Sequence, residues 1–231
     1  MILLACATLM ECQNALNQPA SSPAGTLEPV SIRGHDLLPC PVGIGPVAAA
    51  LSVGALLERH PEVTGIVNLG ICGSFDMARA PLGSTCVADA EIWPEYGVRH
   101  FAQEEEEVFG HQMFTDLPLD PVNRLDLDPS AQAAAMGMTL HPKWIIGPSL
   151  TVAGVSGDQQ RAALLQGRHD GLTENMEGFS LALAARRRGI GFLEIRTVSN
   201  PVGARDKRLW NFRMALRALQ DILPALAGAS T

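Results

Sequence analysis

The chain has 231 residues, 47% of them apolar and 18% charged, with 17 basic against 24 acidic side chains and a formal charge of −7. A chain of this length folds as one domain, or two small ones, and buries about 70% of the surface its unfolded state exposes, so it needs no disulfide or metal staple. The acidic balance offers no electrostatic footprint for a nucleic-acid backbone or an anionic membrane surface, and no apolar run approaches the ~20 residues of a membrane span. The first element, Ile2–Ala7, reads as a buried strand. Its Leu3-Leu4-Ala5-Cys6 resembles a lipoprotein cleavage site but lacks the basic and long apolar segments that precede one. Ser21–Pro29, rich in Ser, Pro and Gly, reads as a surface loop. Leu37–Val42 carries Pro39 and Pro41, which do not suit a central strand.

Gly43-Ile44-Gly45-Pro46-Val47-Ala48 is a G-x-G-x-x-A turn that opens a helix over Pro46–Arg59, with Pro46 at its first position and His60-Pro61 as its stop. Such a turn either presents amides to a phosphate or lets the chain reverse tightly, and a dinucleotide site needs a clean strand before it. Gly65–Leu69 reads as a strand ending in a glycine-rich turn, Gly70-Ile71-Cys72-Gly73-Ser74, at the end of a strand where α/β sheets place ligands. Thr85–Ile92, Ser149–Val155 and Phe192–Val198 are further strands. Glu104–Glu107 reads as a solvated loop, since four consecutive carboxylates cannot all face one cation. Met176–Arg188 is a helix closed by Gly189, where Arg186–Arg188 complement the helix dipole. A third helix runs over Lys207–Leu226, with Phe212, Leu216, Leu219 and Leu223 on one face. Strands apolar on both faces, alternating with helices, predict an α/β domain covering 1–231.

The five cysteines (Cys6, Cys12, Cys40, Cys72, Cys86) are odd in number and form no C-x-x-C pair, a pattern of reduced thiols in a soluble, cytoplasmic protein without a metal site. The densest polar motifs are Glu174-Asn175-Met176-Glu177-Gly178-Phe179 and, one helix and one strand later, Arg196-Thr197-Val198-Ser199-Asn200-Pro201-Val202-Gly203. Singly, Glu177 at a helix start is a dipole partner and Asn200 before proline is a turn former.

Together these segments resemble the nucleoside phosphorylase and nucleosidase superfamily over most of the chain. The likeness runs through Gly43–Ala50, Asn68–Ser74, Val155-Ser156-Gly157-Asp158, Asn175-Met176-Glu177-Gly178 and Ile195–Asn200. Within the superfamily the last two segments, continued as Pro201-Val202-Gly203-Ala204-Arg205-Asp206, are most similar to the futalosine hydrolases, which split futalosine into hypoxanthine and dehypoxanthine futalosine on a route to menaquinone. The resemblance implies a three-layer αβα sandwich around a central mixed sheet, an N-glycosidic hydrolase without cofactor or metal, a purine nucleoside as partner, and a homo-oligomer of two or more chains. It implies that Glu177 holds the ribose hydroxyls, that Met176 packs on the sugar, and that Glu11, after Ala7-Thr8-Leu9-Met10, positions the attacking water. By sequence alone Glu11 equally suits a solvated helix start. Gly70, Ile71, Val155, Ser156 and Asn175 are the other expected substrate neighbours.

The chain departs from the superfamily at three places. Methylthioadenosine nucleosidases carry Asp where this chain has Asn200, whose amide donates to O6 and N7 and so suits a 6-oxopurine. Phosphorylases carry Arg and Ser at the positions matched by Asn68 and Ile71, which favours water over phosphate as the nucleophile here. An aromatic ring expected near Gln160, to stack on the base, is missing. Arg205, Lys207 and Arg208 are candidates for the carboxylate arm of futalosine. The alternatives are a methylthioadenosine or adenosylhomocysteine nucleosidase, an inosine phosphorylase, and a nucleoside sensor without catalysis, against which the pair Glu11 and Glu177 speaks.

Overall fold

The computed structural model describes residues 1–18, 29–102, 105–109 and 123–228. In chain order the elements are β1 (Ile2–Cys6), α1 (Leu9–Ala15), β2 (Val30–Ile32), β3 (His35–Pro41), α2 (Pro46–Arg59), β4 (Gly65–Ser74) and β5 (Thr85–Ile92). A hairpin of β6 (Val98–Ala102) and β7 (Glu105–Phe109) follows, then β8 (Arg124–Asp126), α3 (Pro129–Ala135), β9 (Ile145–Thr151), α4 (Gln159–His169) and β10 (Thr173–Asn175). The chain continues through α5 (Gly178–Arg188), β11 (Gly191–Pro201), α6 (Phe212–Leu219) and α7 (Ile222–Leu226).

The main sheet is mixed, in the order β10-β9-β5-β11-β4-β1-β3-β2, with β8 on β5. Strands β3, β1, β4 and β11 run parallel, and β10 also pairs antiparallel with the end of β4. That last pairing closes β4, β11, β5, β9 and β10 into a ring, so half of the sheet curls into a small barrel.

Strand alternation divides the core into two layers. Ile2, Leu4, Val67, Leu69, Leu193 and Ile195 face Cys12 and Ala15 of α1 and Leu219, Ile222 and Leu223 of α6 and α7. Leu3, Ala5, Ile66 and Phe192 face Ala49, Val53 and Leu57 of α2 and Leu181, Ala182 and Ala185 of α5. This is the expected αβα arrangement. All five cysteines are free. Among the described residues no helix is long and apolar enough to cross a membrane.

Several sequence expectations need correction. Leu37–Pro41 belongs to β3, and its prolines sit, as they must, where the strand is an edge and not central: Val42 N, just past it, donates to Cys6 O at 2.8 Å, so by the two-residue period Pro39 and Pro41 turn their nitrogens outward, beyond the reach of β2. The supposed turn after Leu69 remains strand to Ser74, because β11 pairs with β4 along its whole length. The predicted strand Ser149–Val155 is displaced to β9, which tolerates Pro148 at a register shift against β5. Met176 and Glu177 precede α5, although Gly189 closes it as expected, at φ 65°. Of Glu104–Glu107, the backbone of 105–107 belongs to β7 rather than to a loop; residue 104 and residues 21–28 of the predicted Ser21–Pro29 loop lie outside the described residues. The single helix over Lys207–Leu226 is three pieces, a 3-10 turn Lys207–Leu209, then α6, then α7. Asn211 caps α6 by accepting from Met214 N, and restarting at Ile222 puts Pro224 in a first turn, where its missing N–H costs nothing.

Candidate active site

The parallel strands β1, β3, β4 and β11 end on the same side of the sheet, and their carboxyl ends carry the polar residues. Thr8, extended at φ −129° and ψ 157°, caps α1 in a capping box with Glu11. Glu11 Oε2 accepts from Thr8 N at 2.9 Å and Thr8 Oγ1 at 2.8 Å, while Oε1 accepts from Ile71 N at 3.0 Å. Glu11 is therefore buried and held by two strand ends, not a solvated helix start.

Gly70 is what allows this. A Cβ there would sit 2.8 Å from Glu11 Oε1 and 2.5 Å from Arg196 Nη1. Gly70 thus stands behind these groups and does not line the cavity.

Glu177 is 3% exposed. Its Oε1 accepts from Gly45 N at 3.0 Å and its Oε2 lies 3.3 Å from Arg196 Nη1. The Gly43-Ile44-Gly45 turn therefore grips a carboxylate of the same chain; Gly45, at φ 93°, is the N-cap of α2. Burial pushes the Glu177 carboxyl above the usual range, opposed by Arg196 and the Gly45 amide.

Asn175 holds this corner together. Its Oδ1 accepts from Glu177 N at 2.8 Å, Gly178 N at 2.9 Å and Arg196 Nη2 at 3.3 Å, and its Nδ2 donates to Ser149 Oγ and Glu194 Oε1. Every donor and acceptor of the amide is occupied, so the Asn175 side chain orients Glu177 and the first amide of α5, while the residue lines the cavity as expected.

Beneath lies a buried polar cluster. Glu194 accepts from Ser149 Oγ at 2.6 Å, Asn68 Nδ2 at 2.7 Å and Arg196 Nη2 at 3.0 Å. Burial works against the charge of Arg196, but Glu194 and Glu177 outweigh it and hold the guanidinium charged. Glu91, which takes a bond from Thr151 Oγ1, is pushed well above the carboxylate range by burial and by Glu194. Asn68 belongs to this cluster, fully buried and off the cavity, so it does not mark a phosphate position.

These groups open on a cavity of about 650 Å³. Glu11, Ile71, Val155, Ser156, Asn175, Met176, Glu177 and Asn200 all line it, as expected from the sequence. Asn200 Oδ1 accepts from Ser199 Oγ at 2.7 Å and Nδ2 donates to Pro201 O at 3.0 Å, leaving one amide hydrogen for a ligand. Gln160 is exposed and off the cavity, whose aromatic rings are Trp210 and Phe212. Of the three cationic candidates only Arg205 lines the cavity, 5.4 Å from the Trp210 ring centroid; Arg208 is clasped by Asp206 at 2.6 Å and Lys207 is exposed.

Sequence reasoning gave no role to Arg196, Glu194, Glu91 or Glu174, although Arg196 and Glu174 head its two polar motifs. The first three carried a signal, since each is a charged residue inside a strand otherwise built for burial.

The family profile described as the phosphorylase superfamily matches residues 5–227. The chain is 41% identical over 200 residues to a futalosine hydrolase from Streptomyces coelicolor, covering 84% of this chain and 79% of the relative. It is 30% identical over 192 residues to a futalosine hydrolase from Thermus thermophilus, covering 81% and 80%. Among solved structures, a 5′-methylthioadenosine/S-adenosylhomocysteine nucleosidase from S. pneumoniae, with a transition-state inhibitor, superposes at a TM-score of 0.74 and 21% identity, covering 100% of this chain and 99% of that one. With its mixed sheet, its carboxylates at the strand ends and a profile match over nearly its whole length, the chain belongs to the phosphorylase superfamily.

Proposed function

We propose that the chain hydrolyses the N-glycosidic bond of a purine nucleoside, futalosine, to hypoxanthine and dehypoxanthine futalosine. The observation that carries this reading is the pair of buried carboxylates, Glu11 and Glu177, fixed by backbone amides and flanking Arg196 in one cavity. As the bond from C1′ to the base lengthens, the ribose becomes cationic. Glu177 accepts from the ribose hydroxyls and its charge stabilises that cation. Water adds its hydroxyl to C1′ and its proton passes to Glu11. The base departs with negative charge on its O6 and N7 edge, where the free amide hydrogen of Asn200 donates; the base then takes up a proton from water and Glu11 gives its proton back to solvent, so that one water is consumed per bond broken. Both futalosine hydrolase relatives support the choice of substrate.

Water is preferred to phosphate on charge grounds. The cavity is lined by Glu11, Glu174 and Glu177 against Arg196 and Arg205, and Arg196 is already engaged by Glu177 and Glu194. A phosphate dianion entering there meets net repulsion. Incubation with futalosine, aminofutalosine, inosine and methylthioadenosine, with and without phosphate, is expected to release hypoxanthine from futalosine at a rate that added phosphate does not raise. A sugar 1-phosphate product overturns the hydrolase reading, and the absence of any free base favours a nucleoside sensor.

Arg205 is the cavity's candidate partner for the carboxylate arm of futalosine. Arg205→Ala is expected to raise KM for futalosine by about 10- to 150-fold, the usual worth of a charge-assisted hydrogen bond, and to leave KM for inosine unchanged. Equal KM values for futalosine on both proteins remove this role.

The same reading places the protein in the cytoplasm as a homo-oligomer. Its five free cysteines suit a reducing compartment, and Ile44, Val47 and Leu51, on α2 and the turn before it, expose 63%, 69% and 72% of their surface.

A further inference from the structure

We infer that Glu174 is a specificity-determining residue of this site, its carboxylate accepting the N1–H of a 6-oxopurine while Asn200 donates to the O6 and N7 edge. The inference rests on reading the site as one for a purine nucleoside. It starts from strand register. At the carboxyl end of β4, Gly73 pairs with Asn200 of β11 on one side and with Glu174 of β10 on the other. Neighbouring strands lie about 4.8 Å apart, so the two flanking Cα atoms are roughly 10 Å apart, and residues directly opposite one another in a sheet share a face. All three line the cavity. Gly73 is required by crowding, since a Cβ there would stand 2.8 Å from Val202 Cγ2 and 3.3 Å from Asn200 Nδ2. The row therefore sets an amide and a carboxylate on either side of Gly73 in the cavity wall.

Glu174 is 6% exposed, and both its oxygens already accept from one residue: Oε1 from Ser156 N at 3.0 Å and Oε2 from Ser156 Oγ at 2.6 Å. Two acceptor oxygens are the pattern of the ionised form, and a carboxylate has capacity for about four donors, so two remain to be supplied. Arg161, the nearby cation, is held by Glu95 at 2.5 Å. Burial raises the Glu174 pKa, against the Ser156 bonds and Arg161. A buried carboxylate short of donors gains most from a ligand that brings one. A 6-oxopurine presents N7 and O6 as acceptors and N1–H as a donor, which matches the amide and the carboxylate in turn. A 6-aminopurine presents N1 as an acceptor, so two lone pairs would meet at Glu174. The structural alternative is that Glu174 merely anchors the Ser156 loop.

The test uses free bases, so that it does not depend on turnover. Binding of hypoxanthine, adenine and 1-methylhypoxanthine is measured by calorimetry on the intact protein and on the Glu174→Gln and Glu174→Ala variants. The native protein is expected to prefer hypoxanthine over adenine by about 10- to 100-fold. Glu174→Gln should shrink that preference to within about threefold, because the amide of Gln can turn either its donor or its acceptor to N1. The 1-methyl base keeps O6 and N7 but has no N1–H; it should bind the native protein about tenfold or more weaker than hypoxanthine, and Glu174→Ala should bind the two alike. A preference that both variants retain, a uniform weakening of all three bases, or equal binding of the methylated and unmethylated base to the native protein overturns the inference. The last comparison needs no variant, so it decides even if both fail to fold. Base binding that depends on Glu174 without hydrolysis of any nucleoside would sink the proposed activity and leave this assignment standing.

Discussion

Glu177→Gln is expected to lower kcat by about 10²- to 10³-fold, roughly 3 kcal/mol of transition-state stabilisation, with little change in thermal stability. The charge lost faces a cation that exists only as the glycosidic bond breaks, so the loss falls on kcat more than on KM. The fold should survive because Gln can still accept from Gly45 N, and because Arg196 retains Glu194 at 3.0 Å. The direction of the pKa shift gives the same sign. Burial raises the folded-state pKa of Glu177 above its unfolded value, so keeping it ionised costs stability that grows as pH rises from the unfolded value through the folded one, and a neutral Gln does not incur that cost. The native enzyme should correspondingly lose kcat/KM as pH falls through a value above the ordinary carboxylate range, as Glu177 takes up its proton. A variant that keeps more than about half the native rate, measured by hypoxanthine release, rules out this role for Glu177.

Glu11→Gln should reduce kcat by about 10²- to 10⁴-fold, the usual contribution of a positioned general base, with nucleoside binding retained. Its two oxygens are fixed from both sides, by Thr8 and by the Ile71 amide; Gln keeps the shape and one acceptor oxygen but turns its NH2 to the other backbone N–H, so it loses one of these bonds together with the basicity. Glu11→Ala separates chemistry from folding. It should show the same kinetic loss and in addition break the capping box of α1, costing about 0.5–2 kcal/mol, or several degrees of Tm for a chain of this size. Turnover of Glu11→Gln near the native rate would show that the water is activated elsewhere.

The segments readable in the sequence were those whose meaning is local. Asn175-Met176-Glu177-Gly178 and the run through Asn200 stand out as motifs, and Met176, Glu177 and Asn200 do line the cavity. Asn175 was read as a substrate neighbour because it lies within a motif, and it does line the cavity. Only the hydrogen bonds show that its amide is consumed in holding Glu177, Arg196 and the start of α5. Gly70 was likewise singled out for the right neighbourhood, yet what it provides is space between Glu11 and Arg196. Asn68 was aligned with a phosphate position but binds Glu194 inside the sheet, because it lies deeper along β4 than the strand end that lines the cavity.

By itself, the sequence determined the α/β class, the buried first strand, α2 with Pro46 at its start, the Gly189 cap and the residues whose chemistry is written in contiguous motifs. These follow from periodicity, turn chemistry and charge, which act over a few residues. The tertiary structure alone decided which distant residues meet. Strand closure sets Gly73 between Glu174 and Asn200, the turn at Gly45 reaches across 132 positions to Glu177, and Ile71 binds Glu11 from 60 positions away. Such contacts are set by strand order and register, which depend on how whole layers pack, and no local pattern encodes them.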